Sequence, residues 1–239
     1  MSKSLFALPF VALALIAAKP AVVTAPPAPS INAPADIAAD PANHLNIQLS
    51  NGGTVVVQLR PDVAPNHVRR IQGLVTSGFY NGTIFHRVVP GFMAQGGDPT
   101  GTGSGDSPLP NLEPEFNDLP HLRGVISMAR AEAKNSANSQ FFIMLAPTFS
   151  LDHDYTGFGR VIAGMQFVDG IAPGEPPAQP TKIVRAWLDG PMPAAVAAAP
   201  AQPQPQAEAP AQAQPPAEAP APPADQPVTD PKDSPATDG

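Results

Sequence analysis

The sequence predicts a mainly β domain, closed or sandwiched, with many short strands and few helices. Three observations carry that prediction. Short alternating apolar runs recur between His44 and Gly190, Gly- and Asn-rich breaks separate them, and only two segments read as helical. Alternation does not distinguish a barrel from a sandwich.

The elements follow in order. "LNIQLSNGGTVVVQL" gives two alternating strands around Asn51-Gly52-Gly53, a hairpin by its turn chemistry. Pro65 suits the first position of a helix whose apolar stripe is Val68, Ile71, Leu74 and Val75. Further strands are predicted at Thr83–Val89, Phe92–Gln95, Val125–Met128, Phe141–Met144, Gly159–Ile162 and Lys182–Leu188, with a brief helix around Met165–Ile171.

This middle part, residues 44–190, is long enough to bury roughly two-thirds of its unfolded surface. Its ends differ in composition. Met1-Ser2-Lys3 followed by the apolar run Ser4–Ala18 reads as a signal peptide (residues 1–25), because about 20 apolar residues are needed to span a bilayer as a helix. No stable membrane span is expected. Residues 26–43 read as an extended Pro/Ala linker. Residues 191–239 hold 14 of the 34 prolines and repeat "AEAPA", with too few large apolar groups to offset the entropy of ordering; a disordered tail is expected.

Charge and residue usage exclude several function classes. The chain carries −7, and the tail's six acids against Lys232 alone supply most of it. The folded part is near neutral and has no basic stripe for a phosphate backbone, which argues against nucleic acid as a partner. The chain has no cysteine, which removes disulfides, thiolate zinc sites and thiol catalysis. The five histidines share no metal-ligand spacing, so no metal is expected. "GTGSGD" (Gly101–Asp106) lacks the Lys-Ser/Thr and helix of a phosphate loop and reads as a flexible surface loop. None of Ser127, Ser136, Ser139 and Ser150 has a nucleophile-elbow context.

What remains is "FHRVVPGFMAQGGD" (Phe85–Asp98) and "SMARAEAKNSANSQFFIMLA" (Ser127–Ala146), followed by "LDHDYTGFGRV". Together they resemble the cyclophilin-type peptidyl-prolyl isomerases over Leu45 to Leu188, nearly the whole globular part. The resemblance implies a closed antiparallel eight-stranded β-barrel with two capping helices, flanked by disordered Pro/Ala-rich ends. It also implies an enzyme that assists folding of proline-containing chains without a cofactor, and the signal-like leader makes the chain look like an exported, periplasmic bacterial member.

That reaction suits the residues. Rotation about an X–Pro amide is slow because of the partial double bond, with a barrier of about 18–20 kcal/mol, and no bond has to break. By resemblance Arg87 meets the nitrogen of the twisted amide and Gln95 holds the guanidinium in position. Phe92, Met93, Phe142 and Leu151 form the apolar wall gripping the proline ring. The Ala129 and Arg130 backbone and the Gln140 side chain contact the substrate chain. Three positions depart from the family. Arg130 stands where many eukaryotic members have Asn, Tyr155 takes the place of the pocket histidine, and Ser150 replaces the tryptophan before "LD". That last change implies weak cyclosporin binding. The competing reading is a binding module of the same fold that holds proline-containing partners with incidental turnover.

Overall fold

A computed structural model describes residues 31–191. The signal-like leader, the linker up to residue 30 and the tail from 192 lie outside the described residues. Eight antiparallel strands form one curled sheet: β1 (His44–Leu49), β2 (Thr54–Leu59), β3 (Phe85–Val89), β4 (Met93–Gly96), β5 (Val125–Met128), β6 (Phe141–Met144), β7 (Gly157–Ala163) and β8 (Ile183–Leu188). Their order is β3-β4-β6-β5-β7-β2-β1-β8. A fully closed barrel was expected. The edge strands instead approach through an isolated bridge, Ile84 with Lys182, and a few backbone bonds such as Phe85 N–H to Thr181 O at 3.0 Å. No continuous ladder joins β3 to β8.

Each predicted strand has its counterpart. The β1–β2 hairpin turns where Asn51-Gly52-Gly53 stands, and Gly52 takes φ +92, the left-handed region that glycine enters without steric cost. Among the described residues the helices are α1 (Ala35–Ala39), α2 (Pro65–Thr76) and α3 (Met165–Asp169). Proline opens α2, and Val68, Ile71, Leu74 and Val75 bury its apolar stripe. Its own N-cap side chain makes no capping bond. Glu115, from a distant segment, accepts from the Asn66 and His67 backbone N–H groups at 3.0 and 3.1 Å and caps the helix instead.

Residues 35–43 correct the linker expectation. They form α1 and a 3-10 turn (Pro41–Asn43), and Ala42 and Asn43 are buried. Gln72 of α2 donates to the Ala42 carbonyl at 2.9 Å. A Pro/Ala composition looks solvated because it lacks large apolar groups, yet small residues fit close against a helix. No helix among the described residues is long and apolar enough to cross a membrane.

The sheet is buried on both faces along part of its length. On β6, Phe141 and Ile143 enter the interior core with Leu45, Val57, Ile126 and Phe158. Phe142 and Met144 point the other way, into a second apolar cluster with Phe92, Met93, Val125 and Leu151. This period-two split explains why β5 and β6 are buried at every position. The second cluster is where the sequence motifs converge.

Candidate active site

Strand register places the key side chains in one row. Arg87 on β3 pairs with Gln95 on β4, Gln95 with Phe142 on β6, and Phe142 with Ser127 on β5. Directly paired residues share a face of the sheet. Arg87 and Gln95 therefore lie beside the apolar cluster. Phe92, Met93, Phe142 and Leu151 all belong to that cluster and are buried, together with Ala129. Ser150 is exposed next to Leu151, and Phe149 beside it is 62 % exposed.

The polar contacts differ from the expected pattern. Gln95 was expected to hold the Arg87 guanidinium. Its amide instead donates to Gln140 Oε1 at 3.0 Å, and Arg87 Nε donates to Glu175 Oε2 at 2.7 Å. The Gln140 amide in turn donates to the carbonyls of Gly103 and Gly105 at 3.0 and 2.9 Å. The Gly101–Asp106 segment, read as a flexible loop, is fastened from both sides. Buried Asp98 accepts from the Thr100, Thr102 and Gly103 backbone N–H groups at 2.7, 3.0 and 2.6 Å. Burial pushes the Asp98 carboxyl up, but hydrogen bonds from Thr100, Gly105 and Gly103 together outweigh it and hold the group below the usual carboxylate range. The Ala129 N–H is also committed, to Gln140 O at 2.9 Å.

Two departures from the family pattern lie against each other. The Arg130 guanidinium stacks 4.6 Å above the Tyr155 ring centroid. Nη2 donates to Asp154 Oδ2 at 2.8 Å, Nε to the Asp154 carbonyl at 3.2 Å, and Nη1 to the Ala131 and Glu132 carbonyls. Tyr155 packs edge-on against Phe142, with centroids 5.6 Å apart. An asparagine lacks the reach for this stack. Arginine at 130 and tyrosine at 155 form one unit behind the Phe142 wall.

On its other side Phe142 is stacked on the His121 ring, at 6.2 Å and 21°. His121 Nδ1 lies 2.8 Å from Asp152 Oδ1, and Nε2 lies 2.8 Å from Ser127 Oγ. A carboxylate only accepts, so Nδ1 carries the proton, and Ser127 donates to Nε2 of a neutral ring. Burial lowers the His121 pKa, more than Asp152 raises it, which fits that tautomer. Asp, His and Ser stand in the order of a hydrolytic triad, but Ser127 is fully buried and no ester can reach it. The trio braces Phe142. Nothing in the sequence signals it, because its members come from three separated segments. His86 is buried but has neither ring nitrogen hydrogen-bonded. Burial lowers its pKa too.

This geometry stands beside three comparisons. The profile of the family described as "Cyclophilin type peptidyl-prolyl cis-trans isomerase/CLD" matches residues 44–187. A "Probable peptidyl-prolyl cis-trans isomerase" of Brucella suis is 44% identical over 168 residues, 64% of this chain and 85% of that protein. "Peptidyl-prolyl cis-trans isomerase B" of Bacillus subtilis is 40% identical over 128 residues, 53% of this chain and 89% of that protein. Among solved structures, a cyclophilin of Hirschia baltica superposes with TM-score 0.58 at 31% identity, covering 62% of this chain and 74% of that one. A Cryptosporidium parvum cyclophilin-type isomerase, crystallised in the presence of the dipeptide Ala-Pro, gives TM-score 0.56 at 30% identity, covering 61% and 98%.

Proposed function

The chain belongs to the cyclophilin-type peptidyl-prolyl cis-trans isomerases, and we propose that its turnover runs through Arg87 above the Phe92, Met93, Phe142 and Leu151 wall. The observation that carries this reading is the row Arg87–Gln95–Phe142, which sets one cation beside an apolar floor. A proline ring gripped by that floor is a fixed anchor against which the acyl side rotates.

At the perpendicular geometry the amide nitrogen no longer donates into the carbonyl and accepts a hydrogen bond. The Arg87 guanidinium stabilises that state and has little to offer the planar amide, which is the condition for raising a rate. Each tenfold acceleration requires about 1.4 kcal/mol of such preference. A charge-assisted bond at the rim of an apolar floor is strong enough to supply part of it. Gln95 and Gln140 form an amide pair that shapes the groove edge, so Gln140 reaches the substrate chain only through atoms not already bonded within the protein. Because the Ala129 N–H is taken, contact of the substrate chain there falls to its carbonyl, with Arg130 beside it.

We further read the chain as an exported enzyme acting on proline-containing polypeptides in the periplasm. The basic start and apolar run of residues 1–25 support this, and N-terminal sequencing of the protein recovered from the periplasmic fraction tests it. Cyclosporin is expected to bind weakly, since Ser150 offers neither an indole face nor its N–H. A protease-coupled assay on a short proline peptide separates enzyme from binder. Turnover above the uncatalysed rate supports the reading, and tight peptide binding without acceleration supports the binding module.

A further inference from the structure

The segment after α3 reaches back to the active-site edge of the sheet. Val88 N–H donates to Gly174 O at 2.9 Å and Gly174 N–H to Val88 O at 3.0 Å, an antiparallel two-bond pair just outside the β3 edge. Register then sets residue 175 opposite residue 87, on the same face. The row across the sheet therefore begins one residue earlier than the motifs indicate: Glu175, Arg87, Gln95, Phe142. Gly174 takes φ +137, and a Cβ there would lie 2.7 Å from Pro177 Cα, so glycine is required for this placement.

The contact itself is one-sided. Glu175 takes only the Nε–H of Arg87. Two of the other arginine–carboxylate pairs among the described residues use two guanidinium nitrogens: Arg123 reaches Asp169 with both terminal groups at 2.7 and 2.6 Å, and Arg60 reaches Asp62 with Nε and Nη2 at 2.8 Å each. Among the described residues, both terminal NH2 groups of Arg87 are left without a protein acceptor. Gln95, on the opposite flank, is engaged with Gln140.

We propose that Glu175 is the positioning residue for Arg87: delivered by the Val88–Gly174 pair, it fixes the guanidinium through Nε and leaves the terminal NH2 groups for the substrate amide. This inference rests on the catalytic role of Arg87 proposed above. A carboxylate in that place restricts the swing of a long side chain that is only 23 % exposed, and it does so without blocking the reacting edge. Its effect belongs in the chemical step and not in substrate capture.

The test compares Glu175→Ala, Glu175→Gln, Arg87→Ala and the double variant with the full chain, using NMR exchange on a short proline peptide together with melting temperatures. Glu175→Ala is expected to lower kcat roughly three- to fivefold, the range of an exposed ion pair, with KM and melting temperature little changed. Glu175→Gln should recover most of the rate, because an amide oxygen still accepts the Nε–H bond. Adding Glu175→Ala to Arg87→Ala should change nothing further. An unchanged or raised kcat in Glu175→Ala, or an added loss in the double variant, overturns the inference. If Arg87→Ala itself turns over like wild type, the role of Arg87 fails instead, and the two failures are distinguishable.

Discussion

Arg130→Ala tests how the pocket wall is held. The substitution removes a guanidinium that is 10 % exposed from above Tyr155, together with its bond to Asp154 Oδ2 at 2.8 Å. Asp154 is 44 % exposed, so the ion pair contributes under about 1 kcal/mol after solvent screening. The cation–π stack adds about 0.5–1 kcal/mol at a partly exposed ring. The bonds to the Asp154, Ala131 and Glu132 carbonyls are partly replaced by water and contribute a few tenths each. A total near 2 kcal/mol lowers the melting temperature of a domain this size by about 4–8 °C. Tyr155 then loses its cover, and its edge contact with Phe142, about 0.5–1.5 kcal/mol, weakens. KM for a proline peptide should rise about two- to tenfold while kcat changes little. Arg130→Lys, which keeps the charge but loses the planar stack, should resemble Ala in KM. Calorimetry and a substrate titration measure both quantities. A melting shift with unchanged KM would show that Arg130 supports the loop and not the wall.

Other perturbations follow from the same geometry. Asp152→Ala leaves the His121 backbone N–H and ring Nδ1–H without their acceptor, at about 1–3 kcal/mol for each buried group, so the melting temperature should fall clearly; no change would sink the bracing role of the trio. The folded-state pKa values of His121 and His86 are depressed, so their contribution to stability is fully present above the unfolded value of about 6.5 and is lost as pH falls through the lowered folded values. Melting curves should drop between neutral and mildly acid pH, with a smaller drop in His86→Leu; identical pH profiles would contradict this. Ser150→Trp should tighten cyclosporin inhibition by one to two orders of magnitude, on the order of one hydrogen bond plus the ring's contact area, with little effect on peptide turnover. Equal inhibition of both proteins would mean that Ser150 does not border the pocket. Deleting residues 191–239 should leave both the melting transition and turnover in place, because that stretch carries no core-forming pattern.

The strands were legible because the polypeptide alternates where one side of the sheet faces the interior core, and because Asn51-Gly52-Gly53 and Pro65 mark a turn and a helix start chemically. The wall residues were legible only through the two motifs, since Phe92, Met93 and Phe142 look like any core residues one at a time. The contacts missed are those between distant segments. Glu115 caps α2 from 49 residues away, and Glu175 meets Arg87 across 88. Neither glutamate sits in a pattern, and a carboxylate near an arginine in space leaves no trace in their spacing. Gln95 shows the opposite error: a place beside Arg87 was expected of it, but its side-chain partner is Gln140. The order of residues 35–43 was hidden by composition, because Ala42 is buried through backbone fit and not through a large side chain.

The most direct test of the catalytic proposal is the exchange rate of a single proline peptide, followed by NMR with the full chain and with Arg87→Ala, while affinity for the same peptide is measured by titration. If the guanidinium acts on the twisted amide, exchange falls by on the order of a hundredfold, as for loss of one charged donor to a transition state, while affinity and melting temperature stay within about twofold and a few degrees. A parallel loss of affinity and exchange would contradict it, and so would exchange that Arg87→Ala leaves at the wild-type rate.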